Sequence, residues 1–286
     1  MAQTNRNVKD SVFADLFSNE QDGKRNFLSL YNALHGTHLK YEETVIENKT
    51  IPQSMYKTFH NDVSMLIDNK LIVMIEHQST INENMPFRLL EYVTRIYEGI
   101  VPSRDRYLKK RIQIPTPEFY VFYNGLEKYP DEKVLHLSDS FSMRDYDDTS
   151  FPQLELTVRV INIGPEQTWK FQDGCDILKQ YCDFIEIVRE YAVPGESESY
   201  KQAIEEAIRK GILKNYLIKN STEVINMFLA EYDYETDVAV QREEAREDKA
   251  IEAAVTLIQK YNEQPETAAQ VMGAPLDKVL EALASK

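Results

Sequence analysis

Apolar side chains fall at helical spacing in the first part of the chain. Across 10–35 one stripe is Val12, Phe13, Leu16 and Phe17, and a second is Phe27, Leu28, Leu30, Tyr31 and Leu34, with a break near Gly23. The pattern then shortens. Residues 44–47 read as a short strand. Residues 62–67 and 71–75 are nearly solid with apolar side chains, as central strands covered on both faces require. Asp68, Asn69 and Lys70 between them predict a polar hairpin loop. Helical spacing returns over 87–100 behind Pro86, strands are predicted at 118–123 and 154–163, and a helix at 173–191 is ended by Pro194-Gly195. No convincing strand pattern follows. Helices are expected at 197–218, 221–232 and 235–262, with a short pair around Gly273-Ala274-Pro275.

The order is helix, three strands, helix, strand, with one more strand, and then an all-helical last third. This predicts a mixed α/β domain over 1–195 and a helical region over 196–286, divided where the Pro-Gly break and the change of period coincide. With only nine glycines and neither GxGxxG nor GxxxxGK[ST], the common nucleotide-binding folds are disfavoured. The chain has no long apolar run and no signal-peptide core in its first twenty positions, so it is expected to be cytoplasmic and not membrane-bound. Cys175 and Cys182 lack a CxxC partner and read as buried or idle thiols. With 33 basic against 47 acidic residues, the net charge of −14 argues against a nonspecific coat on nucleic acid but leaves room for a local basic groove.

The hairpin carries the chemistry. If its loop is centred on Asn69, Asp62 faces Glu76 across the antiparallel pair, with Cβ atoms roughly 4.5–5.5 Å apart. Gln78 then points the same way. A two-residue loop would instead put the two carboxylates on opposite faces. Converging carboxylates suit a hard cation such as Mg²⁺, which takes oxygen ligands and keeps waters for a phosphate substrate. The plain alternative is that Asp62 opens a strand as a turn acceptor and Glu76 closes one at the surface.

Three stretches closely resemble the Rpn-type recombination-promoting nucleases, also called putative transposases, of the PD-(D/E)XK superfamily. They are Asn61-Asp62-Val63-Ser64, the run from Ile75 through Glu76-His77-Gln78-Ser79 to Thr80, and Asn84-Met85-Pro86-Phe87-Arg88 onward to Tyr92. Asp10 to Phe13, Asp15 to Phe17 and Val158 to Ile163 extend the likeness. The resemblance implies a restriction-endonuclease-like core and a metal-dependent DNA endonuclease acting in recombination or mobile-element processing. It further implies that Asp62, Glu76 and the carbonyl of His77 bind Mg²⁺ or Mn²⁺. Gln78 stands where the superfamily pattern has lysine, so it can orient water but brings no charge. An inactive, DNA-binding or protein-binding version of the fold is the rival reading. Asp10, Asp15 and Glu47 are candidates for a further acid, and Asp10 could equally cap a helix.

Arg88 and Arg95 share a face of the helix after the hairpin and could contact phosphate or pair with Glu91. Arg104, Arg106, Lys109, Lys110 and Arg111, interleaved with Tyr107, form the best candidate for contact with a DNA backbone. The alternating charges of 242–249 predict a solvated helix that could pair with a second copy as a homodimer.

Overall fold

The computed structural model describes residues 11–20, 22–49, 62–77, 82–142, 153–164, 174–261 and 263–284; for positions 62, 75–77, 233–242, 244, 245, 248 and 284 the description is of the backbone. The chain forms two compact units, Met1–Phe228 and Leu229–Lys286.

The first unit is built on a six-stranded mixed sheet in the order β1-β2-β3-β4-β6-β5, from β1 (Ile46–Asn48), β2 (Asp62–Ile67), β3 (Lys70–His77), β4 (Thr116–Tyr123), β5 (Glu132–His136) and β6 (Thr157–Asn162). The central pairs β3/β4 and β4/β6 are parallel, and the flanking pairs are antiparallel. Helices cover both faces, which is why β2 and β3 need no polar side: Val63, Met65 and Leu71 to Met74 are all fully buried. With α3 (Met85–Ile100) laid across it, this is the expected α/β restriction-endonuclease-like core. The strand β5 went unpredicted.

On one face, Leu89, Tyr92, Val93 and Ile96 of α3 pack on Leu71, Val73, Phe119, Val121, Val158 and Val160. On the other lie α1 (Val12–Ser18), α2 (Gly23–His35) and α4 (Asp176–Tyr191). Phe13 of α1 is the junction there, with ring centroids 5.5 Å from Phe122 of β4, 5.6 Å from Tyr181 of α4 and 4.8 Å from Phe17. Ser11 caps α1 by accepting from the Ala14 amide at 3.1 Å.

The hairpin loop is one residue shorter than predicted. Only Asp68 and Asn69 form the turn, and Lys70 begins β3 opposite Ile67. Asp68 takes the left-handed conformation at φ 50°, which a short polar side chain tolerates. Lys70 is held in the strand by an ion pair to Glu118 of β4 at 2.6 Å, and the amide of Thr116 donates to the Asn69 carbonyl at 2.8 Å.

The expected boundary at 195 falls at a turn inside the first unit. Gly195 supplies a φ of 80°, and α5 (Ser197–Lys210) returns from it. Tyr200 of α5 stacks on Phe228 at 5.2 Å, and Phe184 of α4 meets the same ring at 6.0 Å. The long helix α6 (Lys214–Tyr261) is kinked at Asn220, matching the predicted break before 221. In the second unit, Ala254 and Val255 of α6 pack with Ala268 and Ala269 of α7 (Pro265–Met272) and Val279 of α8 (Leu276–Ala284). Gly273 ends α7 at φ 67°.

Phe13 joins three elements and is fully buried, so Phe13→Ala is expected to destabilise the first unit by about 3–5 kcal/mol. A fall in the urea midpoint at constant slope would register this; an unchanged midpoint would show the helical layer holding without that ring.

Candidate functional site

The three parallel strands end level, with His77, Tyr123 and Asn162 in one row. Ligands of open α/β sheets bind outside such carboxyl ends, and Asp62 and Glu76 are at this end of the hairpin. Their predicted face-to-face pairing is not there. The two-residue turn sets Asp62 opposite Ile75, and Glu76 lies one step further along, in register with Phe122 of β4. On β2 the hydroxyl of Ser64 donates to the Tyr92 hydroxyl of α3 at 3.0 Å, so even positions of that strand belong to the α3 face. On β3 the odd positions Leu71 and Val73 do. By alternation, strand positions 62 and 76 therefore fall on opposite faces.

Gln78 and Asp10 lie outside the described residues, as do the side chains of Asp62, Glu76 and His77. Among the described residues no cluster of His, Cys, Asp and Glu is suited to a metal ion.

Of the other acid candidates, Asp15 sits on α1, whose Phe13 packs on Phe122 beside Glu76, while Glu47 lies further back on β1. Asp15 is buried on α1 and accepts the Tyr216 hydroxyl of α6 at 2.7 Å. Burial and then the Asp15 charge push the Tyr216 hydroxyl far up in pKa, so this tie stays neutral on the tyrosine side. Asp15 also lines a cavity of about 830 Å³ with Asn19, Gln180 and Lys214. Glu47 lies opposite Leu66, four strand positions from Asp62 or about 13 Å. It is exposed and pairs with Lys49 at 2.8 Å, whose hydrogen bond lowers its pKa.

Sequence reasoning missed a polar group just beyond β4 and β6. Arg189 of α4 donates to the backbone carbonyl of Asn124 and, at 3.2 Å, to its side-chain oxygen. Asn162 donates to the Tyr129 carbonyl at 3.0 Å and accepts from the Gly164 amide at 3.0 Å. Among the described residues the Asn124 amide nitrogen is buried without a partner, which is a cost that functional sites commonly carry. The signal was the Tyr123-Asn124-Gly125 run at a strand end, where a Cβ on Gly125 would collide with the Tyr123 side chain.

The basic candidates separate into two places. Arg88, half-buried in the first turn of α3, is at the acid end, its Nη1 3.8 Å from the Met85 sulfur. Arg95, two turns on, pairs with Glu98 at 2.9 Å. Arg104 to Arg111 form an exposed loop between α3 and β4, at the turn end of the sheet, roughly 20 Å along β3 from Glu76. Among the described residues Arg104, Lys109, Lys110 and Arg111 have no ion-pair partner, while Arg106 donates to the Glu98 carbonyl at 3.3 Å.

A charged network also unforeseen ties the turn end together. Glu118 receives Lys70 on one oxygen at 2.6 Å, and His35 at 2.5 Å and the Tyr120 hydroxyl at 3.1 Å on the other. Arg159 lies over the Tyr120 ring and pairs with Glu132.

Residues 45–162 match the family model described as putative transposase, YhgA-like. The match covers about two-fifths of the chain, and that segment is similar to the family. It begins just before β1 and ends on the last residue of β6, so the family model covers the whole sheet and α3. The resemblance to Rpn-type putative transposases read from the motifs is borne out. The family association points to a mobile-element-related, nuclease-like role with DNA as partner. The comparisons with curated proteins and with solved structures found no match. Among the described residues, no helix is long and apolar enough to cross a membrane.

Burial works against the Glu118 carboxylate, but hydrogen bonds from Lys70 and His35 outweigh it and hold its pKa below the ordinary 4.5. A carboxylate depressed in the folded state adds stability above its unfolded pKa and loses it as pH falls through the folded one. Lys70→Met removes the strongest of those hydrogen bonds, so stability is expected to decline less steeply below about pH 5 than in the parent. Urea midpoints at stepped pH measure this, and parallel pH curves would show that Lys70 does not set the Glu118 titration.

Proposed function

We propose that this protein is a metal-dependent DNA endonuclease acting in recombination or mobile-element processing. The observation that carries the reading is the family match over 45–162, which contains the hairpin with Asp62 and Glu76. The donor set suits the ion in its chemistry: two carboxylates and a backbone carbonyl, at His77, are hard oxygen ligands for Mg²⁺ or Mn²⁺. When bound, such an ion polarises a phosphodiester and makes hydroxide from water near neutral pH. Holding one ion by both carboxylates requires the pleat to break at Asp62, the first residue of β2, because regular alternation sets it and Glu76 on opposite faces. Arg88 at the start of α3 is the cation at the same end, suited to an anionic phosphate beside free helix amides. Gln78 orients the attacking water by hydrogen bonds.

The same register favours a second reading, in which the fold binds DNA but cleaves it slowly or not at all. Gln78 in place of lysine is consistent with this, since an amide adds no positive charge to stabilise the transition state.

Supercoiled plasmid incubated with Mg²⁺ or Mn²⁺ separates the two. Cleavage by the parent that drops at least about 100-fold in both Asp62→Ala and Glu76→Ala is the outcome expected of the nuclease. Equal cleavage by parent and variants, or none by any of them with plasmid binding retained, would support the binding module.

A further inference from the structure

The loop joining α3 to β4 combines exposure and charge in a way no other described segment does. Tyr107 is 88% exposed, and Leu108, Ile112 and Ile114 beside it are 51%, 39% and 48% exposed. One exposed apolar residue needs no explanation, but a contiguous set on one loop marks a contact surface. The backbone here is fixed. The Asp105 amide donates to the Pro102 carbonyl at 2.9 Å, Tyr107 to Arg104 at 3.2 Å and Leu108 to Asp105 at 3.2 Å. Arg106 fastens the turn to the last turn of α3, and the Tyr97 hydroxyl holds the Pro115 carbonyl at 2.7 Å. The ring is thus presented on a short 3-10 turn closed by its own backbone hydrogen bonds and tied to α3 through Arg106. Flanking it are the cations Arg104, Lys109, Lys110 and Arg111, exposed and without ion-pair partners among the described residues, in a chain with 47 acidic side chains.

We propose that this loop is a platform for single-stranded DNA, on which Tyr107 stacks against an unpaired base while Arg104, Lys109, Lys110 and Arg111 hold the adjacent phosphates. In a duplex the base faces are covered by their neighbours, and a backbone contact needs only cations. An exposed aromatic ring among the cations gains affinity only from a base whose face is open. The same mixture of apolar and basic residues suits an anionic membrane surface; the family association favours nucleic acid. The choice of DNA rests on the proposed function. The platform lies at the turn end of the sheet, roughly 20 Å from Glu76 along β3, so a strand touching both would span about six nucleotides.

The test is fluorescence anisotropy of the full chain in EDTA, with a labelled 12-nucleotide single strand, its duplex, and phosphatidylserine vesicles as the third arm. Tyr107→Ala is expected to weaken single-strand binding roughly 5- to 100-fold and leave duplex binding unchanged, with Tyr107→Trp restoring it. Lys109→Ala with Lys110→Ala should reduce the slope of log K against log salt by about 1.4. Thermal melts of the variants should coincide with the parent, since the ring is exposed. Unchanged single-strand binding by Tyr107→Ala, equal losses on single strand and duplex, or preference for vesicles over both would each overturn the proposal. No metal is present, so the outcome is independent of cleavage. Plasmid cleavage with an inert Tyr107 would remove the platform and keep the nuclease, and absent cleavage with a Tyr107-dependent single-strand affinity would do the reverse.

Discussion

The register of β2 against β3 is set by the two-residue turn at Asp68 and Asn69. Lys70 lies at the start of β3, where its ammonium meets Glu118 of β4 at 2.6 Å and lies 5.9 Å from the Tyr31 ring centroid. Joining the strand, it leaves only Asp68 and Asn69 to turn the chain, and the register follows with Ile67 opposite Lys70. A slip of one residue would exchange the faces of a whole strand. The acid positions, the α3 contacts and the alignment of β3 with β4 all descend from that choice.

The same hairpin explains what could and could not be read in advance. Both hairpin strands were legible because they are apolar on both sides, yet this is also why their register was not. A strand with one wet face declares which residues point inward, whereas Val63, Met65, Leu71 and Ile72 are buried whichever way they face. The strand β5 was missed for a related reason: Glu132, Lys133, Val134, Leu135 and His136 bury only Leu135, so an edge strand gave almost no periodic signal. The Pro194-Gly195 turn was correctly seen as a break, but local signals could not show that Phe228 returns to stack on Tyr200 and keep the following helices in the same unit.

Candidate chemistry was legible as residue types and less so as positions. The motifs led to the right family and to the sheet end where the parallel strands finish level. They gave no hint that Asn124, Arg189 and Asn162 gather there, because α4 and the strand ends are brought together by tertiary packing alone. A buried amide donor left unpaired is unfavourable by about 1–3 kcal/mol, and its location beside the candidate acids is consistent with the general tendency of strained polar groups to collect at working sites.

The opposed ends of the sheet also bear on how an acidic protein could meet DNA, the partner its family association suggests. A net charge of −14 repels DNA at long range, but beyond about 8 Å that repulsion is screened at physiological salt. Within contact range, local charge decides. Cations whose ion pairs are complete, such as Arg159 with Glu132, contribute little there. In the loop after α3, Arg104, Lys109, Lys110 and Arg111 have no ion-pair partner among the described residues, so its local field is positive although the whole molecule is negative. Such a surface should bind weakly unless a second, uncharged contact adds to it, because net repulsion suppresses purely electrostatic capture. An exposed ring among the cations, as at Tyr107, is a contact of that kind, and on the proposed reading it would favour DNA whose bases are open over duplex held only by its backbone.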